Sequence, residues 1–182
     1  MFNLSWLDVA MVVTLVASIG FGFHQGLLRQ LLLLLAMYVA TVLSAQYHEV
    51  LAGIIKTAIP SSSLEVARVV AFVALGVATT LVVTWAVWRA YRETRLPSVF
   101  VLDRVGGAAL GGLIGVIIIG ITIPLLRYAL QAPWPEGSAI KYALHVGFLN
   151  SSLEALFLSP LPLIQTTLAP WLPSGIPQLL VR

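Results

Sequence analysis

The chain has 182 residues, 59% of them hydrophobic and 9% charged, with a formal net charge of +3 and a mean hydropathy of +0.99. A soluble domain carries about a quarter charged residues, so this composition excludes a water-soluble globule and points to an all-α integral membrane protein. The absence of cysteine excludes disulfides, thiolate catalysis and cysteine-ligated metal sites.

Several apolar runs reach the roughly 20 residues that a helix needs to cross a hydrocarbon core about 30 Å thick. The first is expected over about 6–23, opened by Ser5 and Asp8 at capping-box spacing. It lacks a basic n-region and a small-x-small cleavage site, so it reads as a retained span rather than a signal peptide. His24, Gln25 and Gly26 make a tight turn into a second helix over about 27–45, which the short connection makes an antiparallel neighbour of the first. A more polar segment, 46–63, leads to Ser62 and Glu65, again at capping-box spacing, and to a third helix over about 64–88. Arg89, Arg92 and Arg95 precede a break at Pro97, and the fourth helix follows over about 102–126, with Pro124 in its last turn.

Residues 1–130 thus read as a four-transmembrane-helix bundle, and residues 131–182 as a C-terminal amphipathic, Pro-rich interfacial tail. Ser138, Lys141 and His145 share one helical face there, and Ile140, Leu144, Gly147 and Phe148 the other, the pattern of a helix lying flat on a membrane. Ser151 and Glu154 are spaced to cap another short helix, while Pro160, Pro162, Pro170, Pro173 and Pro177 forbid a long one. Trp134 and Trp171 suit a headgroup belt. With four spans, Arg29, Arg89, Arg92, Arg95 and Arg104 share a side, dense beside short loops. Lys56, Arg68, Arg127, Lys141 and Arg182 are spread over the other side, so the first set is expected inside and both termini outside.

Each span carries small residues four apart: Ala10, Thr14, Ser18 and Gly22; Ala36, Ala40 and Ser44; Gly76, Thr80 and Thr84; Gly107, Gly111 and Gly115. Such ridges let helices approach closely. They are expected to form this bundle's own core, with Gly26 extending the first, and spare ridges to dock other subunits. Between 9 and 23, 31 and 45, 69 and 88, and 105 and 126 there is no Asp, Glu, Lys, Arg or His. Ion and proton carriers place such groups at membrane depth, so this class is disfavoured. Asp8 and Asp103 fall at opposite faces and form no acid–base dyad. Asp103 shares its face with His24, Arg29 and Arg104, which suggests either an Asp103–Arg29 ion pair between the second and fourth helices or a carboxylate favoured by the helix dipole. The lone His145 reads as solvated, no multi-histidine metal site is assembled, and Asn3 and Asn150 open chance-level glycosylation sequons.

Trp6-Leu7-Asp8 at the first helix, Gly26-Leu27-Leu28-Arg29 at the turn, and Leu102-Asp103-Arg104-Val105-Gly106-Gly107 before a Gly-rich helix occur in an order and spacing that resembles the bacterial colicin V production protein family. The resemblance implies a bacterial inner-membrane protein with a four-helix core and an outer-facing tail, linked to colicin V export and envelope upkeep, with no established reaction. It marks Trp6, Asp8, Gly26, Arg29, Asp103 and Arg104 as motif residues. The family's usual turn has a basic residue at the position of Gln25 and an acidic one at that of Gln30, and its fourth helix has a basic residue at that of Ile114. If those charges carry the family's activity, this member has lost it or serves as a structural subunit.

The expected function is therefore a non-catalytic membrane scaffold or accessory subunit, packed against lipid, an apolar cofactor or a larger membrane complex. No cofactor is required, although lipid, a quinone or a carotenoid fits such surfaces. The expected partners are membrane lipids and other membrane subunits, not nucleic acid. The alternative is a passive channel or export factor, with a polar path through Thr14, Ser18, Thr41, Ser44, Thr80 and Thr84. No nucleophile–base pair, metal cluster or phosphate loop suggests an enzyme.

Overall fold

The computed structural model describes residues 5–90, 100–134, 138–172 and 177–180. Asn3, Arg92, Arg95, Pro97, Pro173 and Arg182 lie outside the described residues. The described residues are helical throughout their regular structure, and four helices are long and apolar enough to cross a membrane. They are α1 (Trp6–Gln25), α2 (Leu27–Ala58), α3 (Leu64–Ala90) and α4 (Phe100–Leu130). Three short helices follow, α5 (Ala139–Leu149), α6 (Glu154–Leu158) and α7 (Leu161–Leu168), and then single turns at Ala169–Trp171 and Gln178–Leu180. The end of the bundle that holds Gly26 and Asp103 is called the turn end below, and the opposite end, reached by the last helices, the tail end.

Ser5 and Asp8 form the expected capping box, each bonded to the other's backbone N–H. At α3 the cap falls one residue later than expected. Ser63 Oγ accepts from Val66 N–H, while Ser62 Oγ donates to the Ile59 carbonyl. Helix α2 runs on to Ala58, well beyond residue 45, because the polar residues from Gln46 onward include no breaker other than Gly53, which a helix tolerates. Lys56 then closes the α2–α3 loop by donating to the Pro60 and Ser62 carbonyls.

The helices pair as α1 with α4 and α2 with α3, joined by α2 against α4. Despite their single-residue connection, α1 and α2 touch little. The first pair packs backbone on backbone. A Cβ on Gly22 would sit 2.9 Å from the Gly111 Cα and closer still to the Gly107 carbonyl oxygen, and one on Gly107 would sit 2.8 Å from the Gly26 carbonyl carbon. A Cβ on Gly111 would run into the Ser18 carbonyl, and one on Gly115 would meet the Ser18 Cβ at 3.0 Å. Thr14 and Ser18 spend their hydroxyls on the carbonyls of Ala10 and Thr14, each 2.8 Å away and one turn back. In the second pair Ala36, Ala40, Ser44 and Ala52 of α2 and Ala67 and Ala71 of α3 are buried, and Gly76 opens toward Ser44 Oγ.

The C-terminal segment does more than lie flat. Helix α5 and the stretch Glu154–Trp171 meet at 87°, the geometry of a broken span or a re-entrant loop. The second arm enters the bundle. Phe157, Leu158 and Leu161 join Leu7, Met11, Ile119 and Ile123 in one core, and Leu168, Leu172, Leu179 and Leu180 join Ala45, Phe72, Leu125 and Tyr128 in another. Tyr38 OH donates to the Thr167 carbonyl, Gln46 Nε2 to that of Trp171 and Gln165 Nε2 to that of Leu180. Ser151 and Glu154 make no reciprocal cap, since α6 begins without a side-chain cap and Ser151 bonds elsewhere. Pro160 and Pro162 fall at the start of α7, where a missing N–H costs nothing.

Overpacking a close backbone contact costs about 1–3 kcal/mol or more, so Gly111→Leu is expected to lower thermal stability in a fixed detergent. Gly20, on the same pair of helices but with nothing within 4 Å of its Cβ position, is the control. Gly20→Leu is expected to leave the melting temperature unchanged or raised, and equal melting of the two variants would show the α1–α4 contact to be idle.

Candidate functional site

The polar side chains gather in three groups near the ends of the bundle. At the tail end, the Asp8 carboxylate is fully buried and accepts four bonds. Oδ1 takes the Ser151 hydroxyl at 2.6 Å and Leu153 N–H at 3.2 Å, and Oδ2 takes Ser5 N–H at 3.0 Å and Ser152 N–H at 3.2 Å. A single carboxylate thus caps its own helix and fixes the turn between α5 and α6. Two residues earlier, Trp6 Nε1 donates to the Ala143 carbonyl at 3.0 Å, and its ring lies where a Cβ on Gly147 would be. Trp6 and Asp8 together hold α5 and the turn after it on α1. Arg127 pairs with the buried Glu154 and stacks over Phe148, 5.5 Å from its ring centre, tying α4 to the same segment.

At the turn end, Asp103 of α4 caps α2. Its Oδ1 accepts from Leu27 N–H at 2.9 Å, the first free N–H of a helix that has no side-chain cap of its own. Asp103 thus links the fourth helix to the start of the second through the Leu27 backbone amide. Gly26 has φ 83 and ψ 170, a region open essentially to glycine alone. A Cβ there would also collide with the Asp103 carboxylate. Arg104 packs over Phe23, 5.3 Å from the ring centre, and Arg29 projects from the first turn of α2 on its exposed side. Gln25 and Gln30 meet through a 3.4 Å amide contact, a neutral pair at the positions where the resemblance implies a basic and an acidic residue. Gln30 is 1% exposed and its Oε1 has no partner. Ile114 is buried in the helix core.

A third group was not evident in the sequence. Arg68 of α3 donates through Nε to Glu49 of α2 at 3.1 Å and through Nη1 to Tyr128 OH of α4 at 3.0 Å. The buried His48 sits beside it, with Nδ1 donating to the Ala45 carbonyl at 3.0 Å and Nε2 3.6 Å from Glu49, edge-on to Phe72. Only the length of α2 brings His48 and Glu49 to the start of α3. The available signal was the lack of a helix breaker between 46 and 52. Among the described residues, no three His, Asp or Glu side chains gather as a metal-binding set. Asp8 and Asp103 lie at opposite ends, about 27 Å apart along α1 at about 1.5 Å per residue from Asp8 to Gly26.

One concave feature of the described residues is apolar. A groove of about 510 Å³, open along one side, is lined by Leu31 to Thr41 of α2, Ile117 and Ile121 of α4, and Ile164 and Leu168 of α7. Its polar groups are satisfied: Tyr38 OH donates to α7, Thr41 Oγ1 to the Met37 carbonyl and Thr167 Oγ1 to the Ile164 carbonyl.

Four long apolar helices stapled at both ends, with a C-terminal arm folded back among them, define a polytopic helical membrane protein. The model of the colicin V production protein family matches residues 7–154, most of the chain, and the chain belongs to that family. Membership links it to colicin V production. Comparison with curated proteins and with solved structures gave no match.

Two substitutions test the staples. Asp8→Ala takes the acceptor from four donors, the Ser151 hydroxyl and the N–H groups of Ser5, Ser152 and Leu153, where a buried donor left unpaired costs about 1–3 kcal/mol, and is expected to destabilise the protein and to speed hydrogen exchange at Ser152 and Leu153. Gly26→Ala is expected to be destabilising through both the Asp103 collision and the backbone strain. In Gly26→Ala/Asp103→Ala the collision is removed but about 1–3 kcal/mol of strain remains, so thermal melting should show only partial recovery.

Proposed function

We propose that the protein is a non-catalytic scaffold or accessory subunit of the bacterial inner membrane, which packs against lipid, an apolar cofactor or a larger membrane complex. The observation that carries this reading is how its polar groups are used. Asp8, Asp103, the Arg68–Glu49–Tyr128 set and Arg127–Glu154 are each spent on holding one segment to another. The surface left for binding is the apolar groove and the lipid-facing sides of the spans. Such a protein needs no cofactor of its own, works through membrane lipids and neighbouring subunits, and has no use for nucleic acid. Arg29, Arg89 and Arg104 near the turn end favour that end as cytoplasmic, which puts both termini outside.

A passive conduit for export would need a continuous polar path. Against that stands the use of the Thr14, Ser18 and Thr41 hydroxyls, each bonded to its own helix, and the close α1–α4 seam, which leaves no lumen between those two helices.

Mild-detergent extraction from the native membrane, followed by mass measurement of the intact particle, tests the accessory role. The expected result is a particle larger than the 19.6 kDa chain, with other membrane subunits or an apolar molecule retained. Migration as a bare 19.6 kDa chain would remove the reading.

A further inference from the structure

We infer that the groove between α2, α4 and α7 holds one acyl chain of a phospholipid from the leaflet at the turn end. This rests on the accessory reading only in treating the groove as a binding surface. Along α2 the groove runs from Leu31 to Thr41, a rise of about 15 Å at about 1.5 Å per residue. That is half of a hydrocarbon core about 30 Å thick, the depth of one leaflet. Helix α7 lines the deeper part of the groove: Tyr38, about 10 Å along α2 from Leu31 at about 1.5 Å per residue, reaches the Thr167 carbonyl through its hydroxyl at 2.9 Å, and Ile164 and Leu168 border the same stretch. A chain entering from the turn end runs under α7 and ends near Thr41, about one leaflet deep.

The lining selects for hydrocarbon. No charged side chain borders the groove, and the hydroxyls of Tyr38, Thr41 and Thr167 already have partners, so nothing there would retain water. At the mouth the chemistry changes. Arg29, exposed and within one helical turn of Leu31 and Leu32, already has an interaction within the protein, and its five donors leave capacity for a phosphate as well. A quinone or a carotenoid shares the apolar chemistry of the groove but brings no anionic head to Arg29.

The test uses the full chain in vesicles of phosphatidylethanolamine and phosphatidylglycerol, with a trace of phosphatidylglycerol carrying a photoactivatable diazirine at the end of one acyl chain. Irradiation is expected to concentrate label on residues 37–41 and 164–168. Val16 of α1 and Leu81 of α3, which are exposed at a similar depth, should receive less. Equal labelling of all four places would overturn the inference. Independently, native mass spectrometry is expected to find one phospholipid retained by the unaltered protein and lost from Ile121→Trp, whose indole fills the groove. Equal retention by both would also overturn it, and the labelling result stands without any substitution. A quinone or pigment retained in place of phospholipid overturns the acyl-chain assignment and leaves the accessory role intact. Loss of all partner subunits with labelling still confined to the groove does the reverse.

Discussion

The fold depends on the contact between the backbones of α1 and α4. In a bilayer the lipid tails are as apolar as the side chains, so the hydrophobic effect does little to bring helices together, and close van der Waals packing must do it instead. Gly22, Gly107 and Gly111 supply that closeness, with the carbonyls of Ser18, Gly22 and Gly107 lying where side chains would otherwise stand. Because α1 is committed to α4, it cannot also lie along α2, in spite of the one-residue link at Gly26. That choice sets α2 and α3 apart as a second pair and leaves a cleft between the pairs for the C-terminal arm to enter.

The polar staples follow from the same solvent. A carboxylate near hydrocarbon is costly unless it is hydrogen-bonded; three backbone N–H groups converge on Asp8, and Asp103 meets the free N–H of Leu27. Asp8 serves the N-terminus of its own helix and the 151–153 turn, and Asp103 serves the N-terminus of another helix. Such bonds are short-range and directional, so they specify which segments meet in a setting where apolar contacts discriminate poorly. Arg68 does the same for three helices at once, holding Glu49 of α2 and Tyr128 of α4.

How much of this was legible in the sequence depends on the range of each interaction. Composition and run length revealed the four spans, and four-residue spacing revealed the glycine ridge, because both are local and periodic. The bond from Leu27 N–H to Asp103 was not legible: it spans 76 residues, and a backbone amide leaves no residue-type signature. The full length of α2 was hidden for a different reason. His48 and Glu49 look like the end of a span, but they lie about 32 Å along the helix from Leu27 at about 1.5 Å per residue, where a crossing helix meets the far interface and polar groups are welcome. The packing of the proline-rich tail was hidden too, since prolines exclude long helices but say nothing about whether short ones join the bundle's core.

The family match covers the packed core but not all of the segments that complete it. The match runs from Leu7, next to Asp8, to Glu154, the partner of Arg127. It therefore contains the glycine seam, both carboxylate staples and the 151–153 turn, all of which constrain one another. Helix α7 and the turn at Gln178–Leu180 lie beyond it, yet α7 roofs the groove and Leu179 and Leu180 are buried beside Tyr128. The neutral Gln25–Gln30 contact and the buried Ile114 also lie inside the match. The groove is therefore built jointly, by α2 and α4 from the matched region and α7 from beyond it, so the segment outside the match is as much a part of the packed bundle as the spans themselves.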